Sequence, residues 1–178
     1  MSLSDGQFDN LAKDANDPEV GGFTVASRGK NAGESPPDRF LVGQGKEAKT
    51  PSGKMTGSDV RSYEASNARS LARKEHFLGG WDHEGTGYLD VSKGFPTTGA
   101  GETAARASTL KHGEMAYGES NSKGEYAGDH ANPFHGENNK GDITNSGEKD
   151  QKKAWVGMPS SQPRTTGKRV DLQNQSFS

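Results

Sequence analysis

Apolar positions fall along the chain in three regimes. Over residues 1–57 they form small islands: Phe8 with Leu11, then Val20, Phe23 and Val25, then Phe40-Leu41-Val42. Gly21-Gly22, Pro36-Pro37 and Pro51-Ser52-Gly53 separate them, and such breakers end an element before it can fold alone. The pattern predicts an extended N-terminal arm whose Phe8, Phe23, Phe40 and Leu41 anchor on another protein. Residues 58–80 hold the best helix. Ser58 is a suitable N-cap, and Val60, Tyr63, Asn67, Leu71 and Lys74 follow steps of three and four residues. That helix is expected to end by Gly79-Gly80, or nearer Arg73.

The densest apolar stretch is 76–95, with Phe77, Leu78, Trp81, Tyr88, Leu89, Val91 and Phe95. The polar run Asp82-His83-Glu84-Gly85-Thr86-Gly87 divides it, so Phe77–Asp82 and Tyr88–Ser92 read as a hairpin. Residues 97–112 offer a second helix with Ala104, Ala105, Ala107 and Leu110, stopped by Gly113. Residues 114–119 and 125–129 then flank a turn as a second hairpin. The predicted architecture is mostly extended coil arms around a small α+β module, helix–hairpin–helix–hairpin, over 58–129. Its core would be Tyr63, Leu71, Phe77, Leu78, Trp81, Tyr88, Leu89, Val91, Leu110 and Met115. Residues 130–178 return to coil as a C-terminal arm, with isolated Phe134, Trp155, Met158 and Phe177 as further anchors, Trp155 foremost.

Composition strengthens the arm reading. Hydrophobic residues make up 28% of the 178, Leu, Ile, Val and Phe together number only 23, and mean hydropathy is -1.00. Glycine contributes 25 residues. A chain so poor in large apolar side chains is expected to be glycine-rich coil, intrinsically disordered alone.

Charge excludes little. The net value is -2, but residues 151–178 carry five basic residues against Asp171, enough for a weak nucleic-acid contact by a basic tail that is otherwise simply solvated. There is no cysteine, which removes disulfides, thiolate catalysis and Cys-based metal sites. Neither a basic leader nor a ~20-residue apolar run is seen, so a product made in a cytoplasm, with no membrane contact, is expected.

Candidate chemistry is thin. His130 and His135 with Asp129 and Glu137 lack a scaffold to set ligand geometry, and no metal or cofactor is expected. Asp82, His83, Glu84 and Asp90 cluster at the first hairpin, where a solvated turn is the simpler account. A buried pocket lined by Asp82, His83 and Asp90 would instead favour an enzyme. Gly43-Gln44-Gly45-Lys46 lacks the spacing of a phosphate loop. A non-enzymatic role is therefore expected.

Leu78-Gly79-Gly80-Trp81, Tyr88-Leu89-Asp90-Val91-Ser92, an Ala-rich helix and Gly113-Glu114-Met115-Ala116-Tyr117 follow in order. This central third resembles small uncharacterised proteins of tailed bacteriophages and actinobacteria. The resemblance implies a virion protein and carries no catalytic residues. Together with the islands it leads to an expected function. That function is a structural protein stapling capsid or tail subunits of a bacteriophage virion by multivalent contacts. The alternative is a free, largely disordered hydrophilin-like stress protein.

Overall fold

Ser4 begins the first element. Its hydroxyl accepts the Gln7 N–H while the Gln7 side chain accepts the Ser4 N–H, a reciprocal cap that starts helix α1, Asp5–Asn16. Phe8, Leu11, Ala12 and Ala15 then fall on one face and are buried. The computed structural model describes residues 1–51, 53–136 and 148–159. After α1 come strands β1 (Phe23–Val25), β2 (Arg39–Gly43) and β3 (Ala48–Lys49). Helix α2 (Gly57–Ser66) is capped by Thr56 through a second reciprocal pair with Asp59, and the short α3 spans Ala68–Leu71. Strands β4 (His76–His83) and β5 (Thr86–Pro96) form a hairpin. Helix α4 (Gly99–His112) runs from the Thr98 cap to Gly113, whose φ of 64° suits glycine. A second hairpin, β6 (Ala116–Ser120) and β7 (Tyr126–Ala131), precedes helix α5 (Glu148–Val156).

The seven strands make one antiparallel sheet in the order β1-β4-β5-β2-β6-β7, with β3 also on β5. The eleven residues of β5 organise it. They pair with β4 along one edge, and with β2 and then β3 along the other. The sheet curls into a half-barrel. Gly22–Val25 at one end of the strand order and Gly118, Ser120 and Tyr126 near the other line the same gap.

This corrects the expectation of coil arms around a small module. The hairpins lie where the apolar pattern placed them, but they are not a unit. Strand β2, from the supposed arm, sits between β5 and β6, and β1 extends β4. The islands anchor within the chain itself: Phe8 is 5% exposed, Phe23 8%, Phe40 2% and Leu41 7%. The helix expected to end by Gly79-Gly80, or nearer Arg73, breaks at Asn67 and ends at Leu71, close to the second bound, and both glycines lie inside β4.

The shortage of large apolar residues is accommodated by a one-sided design. Directly paired residues share a face and successive residues alternate. One face thus carries Phe23, Val25, Phe40, Val42, Leu78, Leu89, Val91 and Tyr117. Helices α1 and α2 cover it at the β1–β4–β5 end, through a cluster that includes Leu11, Val60, Tyr63 and Leu71. Helix α4 covers the β2–β6 end through Ala105, with Trp155 of α5 packed outside. Only this face needs to be dry, and small residues (Ala12, Ala15, Ala105) complete it. Helix α5 itself buries no residue. The guanidinium of Arg106 holds it by donating to the Trp155 and Met158 carbonyls, while pairing with Glu102 at 3.1 Å. Among the described residues no helix is long and apolar enough to cross a membrane.

Candidate functional site

The other face of the sheet is floored by glycine and carboxylate. It carries Leu41, Gly43, Gly79, Trp81, Asp90, Ser92, Gly118 and Asp129, placed together by the registers Gly79 opposite Asp90, Gly43 opposite Ser92, and Gly118 opposite both Leu41 and Asp129. Three of these glycines each lie against an acid. A Cβ on Gly79 would collide with Oδ1 of Asp90. One on Gly43 would stand 2.8 Å from the Glu114 carboxyl, and one on Gly118 3.4 Å from Oδ1 of Asp129. The backbone is thus bare where the carboxylates lie.

A cleft opens over this floor. Its lining includes Asp82, Asp90, Asp129, Glu47 and Glu114, with Lys46 the single cation among the described residues and Trp81 an aromatic wall. The Trp81 ring is fixed by stacking on Tyr88, with centroids 5.5 Å apart and planes within 10°. Strand alternation turns Asp90 away from Leu89 and Val91 into the cleft, where it is 8% exposed and accepts from the Ser92 hydroxyl at 2.9 Å.

The rim is the Gly43–Glu47 loop between β2 and β3. The Gln44 N–H continues the ladder to Val91, and the Gln44 amide donates to the Val42 and Gly43 carbonyls. Gly45, at φ 67°, donates its N–H to Oε1 of Glu114 at 3.2 Å. Tyr63 on α2 ties the loop down by donating to the Lys46 carbonyl at 2.5 Å. The segment Gly43–Lys46 is thus no phosphate loop: the Gly45 N–H is used by the chain's own Glu114 carboxyl.

Burial pushes the Glu114 carboxyl up to about 7; Asp90 and Glu47 add to the rise, and the Gly45 N–H opposes it. Glu47 is raised in the same sense by desolvation and by Asp90, against Lys49, although the residue as a whole is exposed on the rim. Desolvation also raises the Tyr63 phenol, with Asp90 and Glu47 contributing. Glu47, Asp90 and Glu114 therefore form one coupled acidic set. Even so, among the described residues no group of three or more His, Asp or Glu gathers closely enough to hold a metal ion.

Of the hairpin cluster singled out from sequence, Asp82 and Asp90 line the cleft, while His83 does not and instead lies 3.9 Å from Glu84. His130 bonds Glu119 at 2.8 Å and stacks on Tyr117 on the helix-covered face; Glu137 lies outside the described residues. Among the expected core residues, Tyr63, Leu71, Leu78, Tyr88, Leu89 and Val91 are buried, and Phe77, Trp81, Leu110 and Met115 are half-buried. Phe134 packs edge-on to Trp155 with centroids 6.0 Å apart, Met158 is 46% exposed, and Phe177 lies outside the described residues with the rest of the basic tail. Sequence reading missed Glu47 and Glu114. For Glu114 the signal is Gly43, which its carboxyl lies against, a proximity visible only once the chain is folded; Glu47, on the loop rim, has no such signal. Comparison of the chain with protein-family models, curated proteins and solved structures found no match.

Proposed function

We propose that this chain is a binding protein whose cleft receives a small organic cation, an amine or guanidinium, such as the end of a Lys or Arg side chain presented by a partner protein. One observation carries the reading: five carboxylates and a single lysine line a glycine-floored cleft walled by Trp81. Clustered carboxylates focus a negative potential, and the face of a tryptophan attracts a cation. The absence of metal-holding geometry among the described residues favours an organic cation over an inorganic one. The resemblance to phage proteins supports a setting in a large assembly, with a neighbouring subunit as the partner. The grip would then be this cleft rather than island-bearing arms.

The test is titration with N-acetyl-lysine amide and N-acetyl-arginine amide, followed by calorimetry or amide chemical shifts. Because Glu114 holds its proton up to about pH 7, a cation must displace it. Affinity is expected to rise up to about tenfold per pH unit as pH approaches 7, then level off. Glu114→Gln should abolish that slope, and Asp90→Asn should weaken binding about tenfold. Failure of both probes to bind at millimolar concentration overturns the reading.

The value near 7 also favours a second reading, in which protonated Glu114 is a general acid and Asp90 a base in a hydrolytic reaction. That activity would decline above pH 7, the opposite slope. The direction of the pH dependence separates the two.

A further inference from the structure

Strand β1 ends the sheet. It bonds β4 along one side, and among the described residues no strand lies along the other. The chain leaves β1 and turns back on it, so that the Ala26 N–H donates to the Glu34 carbonyl and the Ala26 carbonyl accepts from the Gly33 N–H. Ala26 therefore faces away from β4. Backbone groups of a strand alternate sides, so Thr24 faces away too. The Phe23 carbonyl between them lies on the β4 side, 3.7 Å from where a Cβ on Gly79 would stand. Continuing the returning chain would set Thr24 opposite Pro36, which has no N–H to give. The Thr24 N–H and carbonyl are thus without a backbone partner among the described residues.

This open edge faces a gap of about 760 Å³, bounded across from β1 by Gly118, Ser120 and Tyr126. Exposed Val20 and the proline pair line it as well. Its accessible charges are Asp14, Glu34 and Glu125 against Lys123; a further acid, Glu119, is buried and bonded to His130. Leu41 and Gly118 line both this gap and the carboxylate cleft, so the two meet as one acidic trough. A small apolar ligand would answer neither the edge groups nor the acids. An extended cationic chain answers both.

We propose that an extended segment of a partner protein, carrying a Lys or Arg between two apolar residues, adds to the open edge of β1 as a further strand. The register dictates that pattern. Paired residues share a face, and Thr24 pairs with Gly79, which pairs with Asp90. The partner residue opposite Thr24 therefore points to the side of the cleft. Its two neighbours, beside Phe23 and Val25, fall on the apolar face that α1 covers. The basic residue rests on the reading of the cleft as a cation site; the strand pairing does not.

The probe is the capped heptapeptide Ser-Thr-Val-Lys-Val-Thr-Ser, titrated into the full chain and followed by calorimetry and amide shifts. The Thr24 amide should move downfield and gain protection from exchange, and affinity should exceed that of N-acetyl-lysine amide about tenfold or more. Methylating the backbone nitrogen of the peptide's Lys removes the N–H that meets the Thr24 carbonyl and should cost about tenfold. Equal affinity of the methylated peptide, or of N-acetyl-lysine amide, overturns strand addition and leaves the cleft reading standing. Replacing the peptide's Lys with Gln should also cost about tenfold. No loss there overturns the cleft reading and the basic residue of the motif, while the methylation arm still tests the edge. Thr24→Pro should melt close to the parent, because an edge N–H that faces out is one the sheet does not use. It should lose the peptide and keep N-acetyl-lysine amide. A large drop in its melting temperature would put that N–H in the β4 ladder and overturn the proposal. Dimerisation of the parent that Thr24→Pro abolishes would make a second copy the occupant and overturn the partner as drawn.

Discussion

At the scale of single residues, the carboxyl of Glu114 is the most informative group in the molecule. It has a hydrogen-bond donor in Gly45, but one neutral donor does not offset burial beside Asp90 and Glu47. The fold therefore holds a proton up to about pH 7 that an unfolded chain releases near ~4.3. Between those values the unfolded state binds fewer protons, so stability must fall as pH rises through the window. Glu114→Gln keeps an acceptor for Gly45 and has no charge to bury. Allowing for its half-exposed position, the variant should be more stable than the parent by about 1–2 kcal/mol above pH 7 and indistinguishable below pH 4.5. Urea unfolding at pH 4.5, 6 and 8 measures this. A difference that does not grow with pH would show that folding does not raise this carboxyl above its unfolded value.

At the scale of elements, local sequence signals divide sharply into those that worked and those that did not. The second helix was legible because its cap Thr98 and its stop Gly113 both act within their own turn. The first hairpin was legible because Trp81 and Tyr88 flank a polar turn. Gly79-Gly80 misled, since adjacent glycines read as a helix stop. In the sheet the two face opposite ways: Gly79 makes room for Asp90, and Gly80 for the Phe23 ring, where a Cβ would come within 2.6 Å of Cζ. The second reason is not local, for Phe23 is 57 residues away, and the first shows only once the hairpin register is set. Gly79→Ala tests the account, because the added methyl must displace a buried carboxylate rather than a solvated one. It should cost about 1–3 kcal/mol by overpacking and should lower the Glu114 pKa if Asp90 is driven outward. Thermal melts together with carboxyl carbon NMR shifts read both effects. An unchanged melting temperature would mean that the Asp90 side chain turns aside freely.

At the scale of the whole molecule, composition described the amount of core correctly and its distribution wrongly. Twenty-three large aliphatic and phenylalanine side chains cannot fill a core through the entire chain, but a sheet dried on one face asks for a single apolar layer. The islands at Phe8, Phe23 and Phe40 supply much of that layer. What no local pattern could reveal is the strand order. Arg39 pairs with Ser120, a separation of 81 residues, so β2 bonds to strands that follow it only after several intervening elements. This interleaving makes a strong prediction about independence. A fragment of residues 58–129 contains the first hairpin, most of the second and α4, yet it lacks β2, which among the described strands is the one that joins them. It also lacks Leu11 and Phe23, which the first hairpin packs against. Two separate hairpins with one dry face uncovered are not expected to hold together. The fragment should give collapsed amide dispersion and no cooperative urea transition, whereas the full chain should unfold in one step and refold slowly for its size, as non-local pairing requires. Adding a peptide of residues 1–51 in trans should restore dispersion in the fragment, since it returns α1, β1 and β2. A fragment 58–129 with native-like dispersion by itself would show that the sheet divides after all, and that β2 is an addition to a module rather than its keystone.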